Sequence, residues 1–144
     1  MGANSHPLLI VLPLLVLSVA PGVAAADVVA VVSAKSPVGA LSKSQVADIF
    51  LGRATRFPGG SVAVPIDQSD GTPAHDEFYT RFADKSPAQL RSHWAKVIFT
   101  GRGQPPRAVA SELEVKKLLA QNPLVIAYVE RSQVDATLKL VSQP

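Results

Sequence analysis

The stretch Asp27–Ser33, with the sequence DVVAVVS, decides the class of fold. Between its polar ends it is wholly apolar and mostly β-branched. A strand exposed on one face would alternate apolar and polar residues, so this run indicates a strand that is buried on both faces. Strands of this kind are typical of parallel sheets that helices cover on both sides.

Four segments downstream carry the signals of a helix start. Each opens with a serine or threonine that can cap the helix, and these residues are Ser42, Thr72, Ser86 and Ser111. In three of them glutamine or glutamate follows three residues later, which is a capping-box spacing. In two of them proline comes next, a residue favoured at the first helical position. Gly52 stands where a glycine that ends the first helix is expected.

Three further apolar runs alternate with these helices and are predicted to be strands: Ser61–Asp67, Leu124–Val129 and Thr137–Val141. Pro65 indicates that the first of them lies near an edge or at a strand end. Gly101–Arg107 is predicted to be an extended loop. Because strands alternate with helices, we predict an α/β fold: an open, mostly parallel sheet flanked by helices.

A secretory signal is predicted upstream, in residues 1–26. Pro7–Ala20 is an apolar run without charge, and Ala24–Ala26 give an A-x-A cleavage pattern before Asp27. The run is shorter than the about 20 apolar residues of a membrane-spanning helix, and Pro13 interrupts it. The region before it has neither lysine nor arginine, which leaves an uncleaved anchor as the alternative. We expect a periplasmic or secreted protein in which residues 27–144 form one domain.

Charge and cysteine content narrow the classes of function. The chain has 14 Lys+Arg, 11 Asp+Glu, a formal net charge of +3 and no cysteine. The basic residues are scattered, which argues against a nucleic-acid groove and is compatible with small anions. There is no cysteine nucleophile and no serine in a G-x-S-x-G elbow, so neither an enzyme nor a cofactor is expected.

The turn after the second predicted strand is the most informative candidate site. It reads Asp67-Gln68-Ser69-Asp70-Gly71-Thr72 and leads into a helix. Ligands of open α/β sheets bind at the carboxyl ends of strands. A glycine-containing turn at a helix N-terminus can present backbone N–H groups and the Thr72 hydroxyl to an oxyanion. Asp67 or Asp70 can accept a proton-bearing oxygen, which selects a protonated anion.

The same residues are also what a helix start prefers, so the turn alone does not decide between anion binding and capping. Pro73 removes one N–H donor, and Asp76 and Glu77 already complement the helix dipole. His75 and Glu77 are two residues apart and point to different faces of a helix. No metal site is therefore predicted.

Three segments resemble the phosphate-binding proteins of ABC transporters. Val28–Gly52 resembles the start of their second lobe, and its helix end Ile49-Phe50-Leu51-Gly52 is the most specific match. Ala63–Phe78 resembles the phosphate turn, with Asp70-Gly71-Thr72 where the family has Ser-Gly-Thr. Asn122–Val129 resembles a late strand of the same lobe. The resemblance implies one lobe of a type 2 periplasmic binding protein, as a short, single-lobe member of the phosphate ABC transporter substrate-binding group.

An anion site follows from this resemblance, with inorganic phosphate or another small oxyanion as ligand. Its residues would be Ser69, Asp70, Gly71, Thr72, Asp67 and His75. Asp70 replaces a hydroxyl donor with a carboxylate, and Ile66 stands where the family has an arginine. Whether Arg53, Arg56, Arg102 or Arg107 replaces that arginine stays open.

The expected function is that of an exported, non-catalytic solute-binding protein. Because one lobe leaves an anion half open to water, a membrane transporter, a sensor or a second copy of the chain would supply the other wall. The alternative is a lobe without a ligand that serves as an envelope interaction or sensor module. Asp70 and Ile66 favour this alternative, since neither replaces the donor it displaces.

Overall fold

The computed structural model describes residues 26–144 and, upstream of them, residues 2, 3, 10, 13 and 16–19. Most of the predicted signal in residues 1–26 lies outside the described residues. In the part that is described, no helix has the length and apolar character needed to cross a membrane.

Residues 26–144 form a sheet of five strands with four α-helices. Their order is β1 (Val28–Ser33), α1 (Lys43–Phe50), β2 (Val64–Gln68), α2 (Pro73–Ala83), α3 (Pro87–Phe99), β3 (Arg107–Val109), α4 (Glu112–Gln121), β4 (Val125–Glu130) and β5 (Leu138–Ser142). The strands lie in the order β3-β2-β4-β1-β5. β2 is parallel to β3 and β4, whereas β1 is antiparallel to β4 and β5. Four strands thus run in one direction, which confirms the mostly parallel α/β sheet.

β1 corrects one part of the prediction. It is buried along its whole length, as its sequence predicts, but it runs against every other strand of the sheet. Its burial comes from an inner position between β4 and β5, with helices packed on both faces. Burial on both faces is independent of strand direction, so the pattern in Asp27–Ser33 could not reveal the reversal.

An apolar layer covers each face of the sheet. One layer joins Val28, Ala30 and Val32 of β1 to helices α1, α2 and α3. In this layer the rings of Phe78 and Tyr128 stack with centroids 4.0 Å apart. The other layer joins the alternate residues of β1 to α4. The sheet is therefore packed on both faces, and β2, whose carboxyl end leads into α2, lies between these layers.

The helices begin where the capping signals predict. Ser42, Thr72, Ser86 and Ser111 are the N-caps, and each side chain accepts a hydrogen bond from the backbone N–H of the third residue of its helix. The capping boxes at Ser42 and Ser86 are complete. In the third box the Glu114 carboxylate accepts instead from the N–H of Ala110, so this box is only half formed.

The bounds of β1, β4 and β5 lie within one residue of the predicted ones, and two other predictions change more. β2 begins at Val64 rather than Ser61, and Pro65 pairs with β4 only, because β3 pairs with β2 from Ile66 onward. Pro65 therefore lies near a strand end, although β2 itself is not an edge strand. The predicted loop up to Arg107 leads into the short strand β3, whose three residues are too few to show a pattern.

Candidate functional site

The candidate site begins at the carboxyl end of β2, where a tight turn connects Gln68 to the N-cap of α2. The N–H of Thr72 donates to the carbonyl oxygen of Ser69 at 3.3 Å. Gly71 has φ +80°, a left-handed conformation that favours glycine. The turn predicted from the sequence is present, and glycine is required there by the backbone.

The hydroxyl groups of the turn are already used within the protein. The Thr72 hydroxyl donates to the carbonyl oxygen of Ser69 at 2.9 Å and accepts from the N–H of His75 at 3.3 Å. The Ser69 hydroxyl donates to the carbonyl oxygen of Val109 in β3 at 3.4 Å. Thr72 is therefore first of all the cap of α2, and Ser69 ties the turn to β3.

The backbone still offers donors. Among residues 26–144, no hydrogen-bond acceptor lies in reach of the N–H groups of Asp70, Gly71 and Ala74. They belong to the turn and to the first turn of α2, where the helix dipole favours negative charge. These three N–H groups, rather than the hydroxyls, are the unpaired donors of this region; of their residues, only Asp70 lines the cavity described below.

Asp67 has a different environment from the one expected of a ligand-binding carboxylate. It is buried, and its two oxygens accept hydrogen bonds from the hydroxyls of Tyr79 at 2.6 Å and Tyr128 at 2.5 Å. The N–H of Gln68 donates to it as well, at 2.9 Å. Burial, and then the neighbouring Asp67 charge, raises the pKa of both tyrosines far above the usual range, so the hydroxyls stay protonated. Asp67 thus joins β2, α2 and β4.

His75 is buried among carboxylates. Its Nδ1 lies 3.0 Å from Asp76 Oδ1 and 3.8 Å from Asp70 Oδ1, and its Nε2 lies 4.0 Å from Asp67 Oδ2. Ligand atoms of Asp70, His75 and Asp76 are all within 4.8 Å of one another, so these three residues could hold a metal ion. The spacing of His75 and Glu77 predicted no metal site, and the sequence does not reveal that the turn brings Asp70 to the imidazole.

A cavity of about 390 Å³ opens beside the turn. The turn side contributes Asp67, Gln68, Asp70 and His75, and the other walls come from α3 and from the segment before and within β3. Arg91 of α3 lines this cavity as well and is its one basic residue apart from His75. Sequence reasoning missed Arg91, because α3 approaches the turn only in the folded chain.

The arginines considered from the sequence lie elsewhere. Arg53 is 3.7 Å from Asp48, and Arg56 donates to the carbonyl oxygen of Gly60. Arg102 and Arg107 line two other cavities. Arg91 is therefore the arginine that the fold brings to the cavity beside the turn.

No family model matches the sequence, and no curated protein is significantly similar to it. Solved structures do match the fold. A putative phosphate ABC transporter substrate-binding protein of Clostridium perfringens, solved with bound phosphate, has a TM-score of 0.64 and 21% identity over 81% of this chain and 44% of its own. An ABC-type phosphate transport receptor of Vibrio cholerae has a TM-score of 0.62 and 16% identity over 81% of this chain and 45% of its own.

PstS of Borrelia burgdorferi is similar as well, with a TM-score of 0.58 and 13% identity over 81% of this chain and 47% of its own. The chain therefore spans less than half the length of each of these structures. At such identities the likeness shows the fold: residues 26–144 fold like part of a phosphate ABC transporter substrate-binding protein.

Proposed function

We propose that the chain is a non-catalytic solute-binding protein that takes a small oxyanion at the carboxyl end of β2. The observation that carries the proposal is the set of three backbone N–H groups of Asp70, Gly71 and Ala74, which have no acceptor in residues 26–144. They lie at the N-terminus of α2, where backbone dipoles favour an anion. Phosphate is the first candidate, since a structure of the same fold was solved with phosphate bound.

The charges around the turn favour an anion that carries a proton. The carboxylate of Asp70 is exposed and lines the cavity, so it can accept a hydrogen bond from a P–OH group but repels a fully ionised oxygen. Arg91 supplies one positive charge to the same cavity. The expected ligand is therefore a singly or doubly charged oxyanion that keeps a proton.

The site needs a second wall. The cavity is open to solvent, and the chain spans less than half of the length of its structural neighbours. A transporter, a sensor or a second copy of this chain would supply that wall. We further propose that the protein is exported by residues 1–26 and acts in the periplasm or outside the cell.

A second candidate function is a protein-interaction module that binds no solute. This function is favoured because the polar side chains of the turn are already hydrogen-bonded within the protein. Thr72 caps its own helix, and Asp67 accepts hydrogen bonds from two tyrosines. Three carboxylates also surround His75 next to the cavity. This module would respond to a partner protein but to no small anion.

Thermal unfolding of the full chain with phosphate, sulfate, molybdate and chloride at matched ionic strength tests the first function. A ligand at about 100 times its dissociation constant adds about 2.7 kcal/mol to the free energy of unfolding. A selective rise in Tm with one oxyanion supports solute binding. Equal responses to all four salts contradict it and favour the interaction module.

The site itself is tested by Gly71→Val, which adds a side chain beside the free N–H groups. Gly60→Val is the matched control, because Gly60 also has positive φ and open space around its Cα but lies in another loop. Both variants should lose stability through backbone strain, and only Gly71→Val should lose the response to the oxyanion. An unchanged response in Gly71→Val excludes the turn as the site.

A further inference from the structure

A five-residue pattern occurs twice in the chain, as Ile49–Arg53 (IFLGR) and Ile98–Arg102 (IFTGR). The first copy ends α1 and the second ends α3. In the first copy the isoleucine and phenylalanine are buried, whereas Ile98 is 55% and Phe99 92% exposed. Core packing therefore does not account for the second copy, and what the copies share is the Gly-Arg helix end.

The two helix ends have the same hydrogen-bond geometry. In α1 the N–H of Gly52 donates to Ile49 and that of Arg53 to Asp48, at 3.3 and 2.8 Å. In α3 the corresponding bonds run from Gly101 to Ile98 and from Arg102 to Val97, both at 3.1 Å. Both glycines have positive φ. Each end is a Schellman motif, which turns the chain back and places the arginine directly after the helix.

Both arginines line one cavity of about 790 Å³ between the ends of α1 and α3. Lys96 and His93 of α3 line it too. The Nε2 of His93 donates to the carbonyl oxygen of Leu51 at 2.8 Å and so ties α3 to the end of α1. A Cβ on Gly52 would lie 3.2 Å from the Trp94 ring, so the two helix ends also pack closely. The cavity walls are thus fixed by the fold.

The charge of this basic cavity is not balanced by its own lining. Arg53, Lys96 and Arg102 line it, and no aspartate or glutamate does. Asp48 lies 3.7 Å from Arg53, but both side chains are about half exposed, so this pair is weak. Within residues 26–144 neither Lys96 nor Arg102 forms an ion pair.

We propose that the basic cavity binds a compact polyanion, a small molecule with two or more phosphate or carboxylate groups. The guanidinium groups of Arg53 and Arg102 can each bind an anionic group through two parallel hydrogen bonds. Lys96 adds a third positive charge to the lining of the same cavity. The concave shape suits a small molecule better than a flat protein surface. This site is separate from the turn site, since the two cavities share no lining residue.

Isothermal titration of the full chain at matched ionic strength tests the proposal, with tripolyphosphate, citrate, monophosphate and hexaglutamate as probes. We expect tripolyphosphate, citrate or both to bind once per chain and more tightly than monophosphate. Binding of only one of them supports the proposal and identifies the anionic group. The double variant Arg53→Gln, Arg102→Gln should weaken this binding at least about tenfold, because it removes both forks.

A control separates the cavity from general charge. Lys117→Gln removes a positive charge from the exposed face of α4, away from either cavity. It should leave the binding of the polyanion unchanged, while Lys96→Gln should weaken it even if the double variant is unstable. Three results would overturn the proposal: no binding of tripolyphosphate or citrate, equal loss in the control, or tighter binding of hexaglutamate, which indicates an acidic protein partner.

Discussion

The side chain of Asp67 connects three elements of the structure, β2, α2 and β4, through hydrogen bonds. It accepts hydrogen bonds from Tyr79 of α2 and Tyr128 of β4, and it lies in β2 just before the turn. Asn at this position keeps the size of the side chain but removes the charge and one acceptor oxygen. The position of the turn therefore depends on a side chain with two acceptor oxygens at position 67.

Asp67→Asn should lower the free energy of unfolding by about 3 kcal/mol, because hydrogen bonds to a charged group contribute about 1.5–3 kcal/mol each. Urea unfolding of the variant and the wild type measures the change. Asp84→Asn is the control: Asp84 is exposed and has φ 51°, a conformation that asparagine tolerates well. Similar stabilities of the two variants would contradict the role given to Asp67.

The hydrogen bonds of Asp67 with Tyr79 and Tyr128 also predict that the protein is less stable at alkaline pH. The pKa of Tyr79 and of Tyr128 is raised by burial and by Asp67, whereas unfolded tyrosines ionise near pH 10. Above about pH 10 the unfolded state binds fewer protons than the folded state, so the free energy of unfolding falls as pH rises. The fall is at most about 1.4 kcal/mol per pH unit for each tyrosine.

Urea unfolding at several pH values between about 9 and 11 measures this slope. Tyr79→Phe should have a shallower slope than the wild type, because one of the two coupled groups is removed while the lysines remain. Parallel curves for the two proteins would mean that Tyr79 ionises equally well in the folded state.

At the scale of elements, the helix caps are local devices and their energies are separable. Ser86 caps α3, and its hydroxyl accepts from the N–H of Gln89 at 3.2 Å. Ser86→Ala should lower the free energy of unfolding by about 1 kcal/mol, because the first turn loses this acceptor. Ser92→Ala, at an exposed position inside the same helix, should be neutral or slightly stabilising. Thermal unfolding of both distinguishes them, and equal losses would contradict the capping assignment.

The sequence predicted the elements whose signals are local. Ser42, Thr72, Ser86 and Ser111 mark the helix starts correctly, since a cap and its N–H partner are three residues apart. The direction of β1 and the existence of β3 were not predictable, because both depend on strands that are distant in the chain. Strand pairing of this kind leaves no periodic pattern in a short segment.

The candidate site likewise contains residues that the local sequence predicts and residues that only the tertiary fold brings to it. Gly71 and Thr72 could be predicted as a turn and cap from their own residue types. Tyr128 and Arg91 could not, since β4 and α3 reach the carboxyl end of β2 only through the tertiary fold. The pattern shared by Ile49–Arg53 and Ile98–Arg102 can be read from the sequence. That the two arginines line one cavity is apparent only in the structure.

At the scale of the whole molecule, the proposed export depends on residues 1–26. A bacterial host with a secretion pathway should release a chain that begins at Asp27, because Ala24–Ala26 form the cleavage pattern. Mass spectrometry of the recovered protein gives its N-terminus directly. Ala24→Lys, Ala26→Lys should block cleavage, and recovery of the wild type with residues 1–26 still attached would contradict a cleaved signal.

An amide NMR titration of the full chain with phosphate shows directly whether the turn binds an oxyanion. If the turn binds the oxyanion, the largest saturable shifts will be those of the N–H signals of Asp70, Gly71 and Ala74, the donors without an acceptor in residues 26–144. Sulfate at matched ionic strength should shift them less, because it carries no proton for Asp70 to accept. Unmoved signals of these three amides up to tens of millimolar phosphate would contradict oxyanion binding at the turn and favour the interaction module.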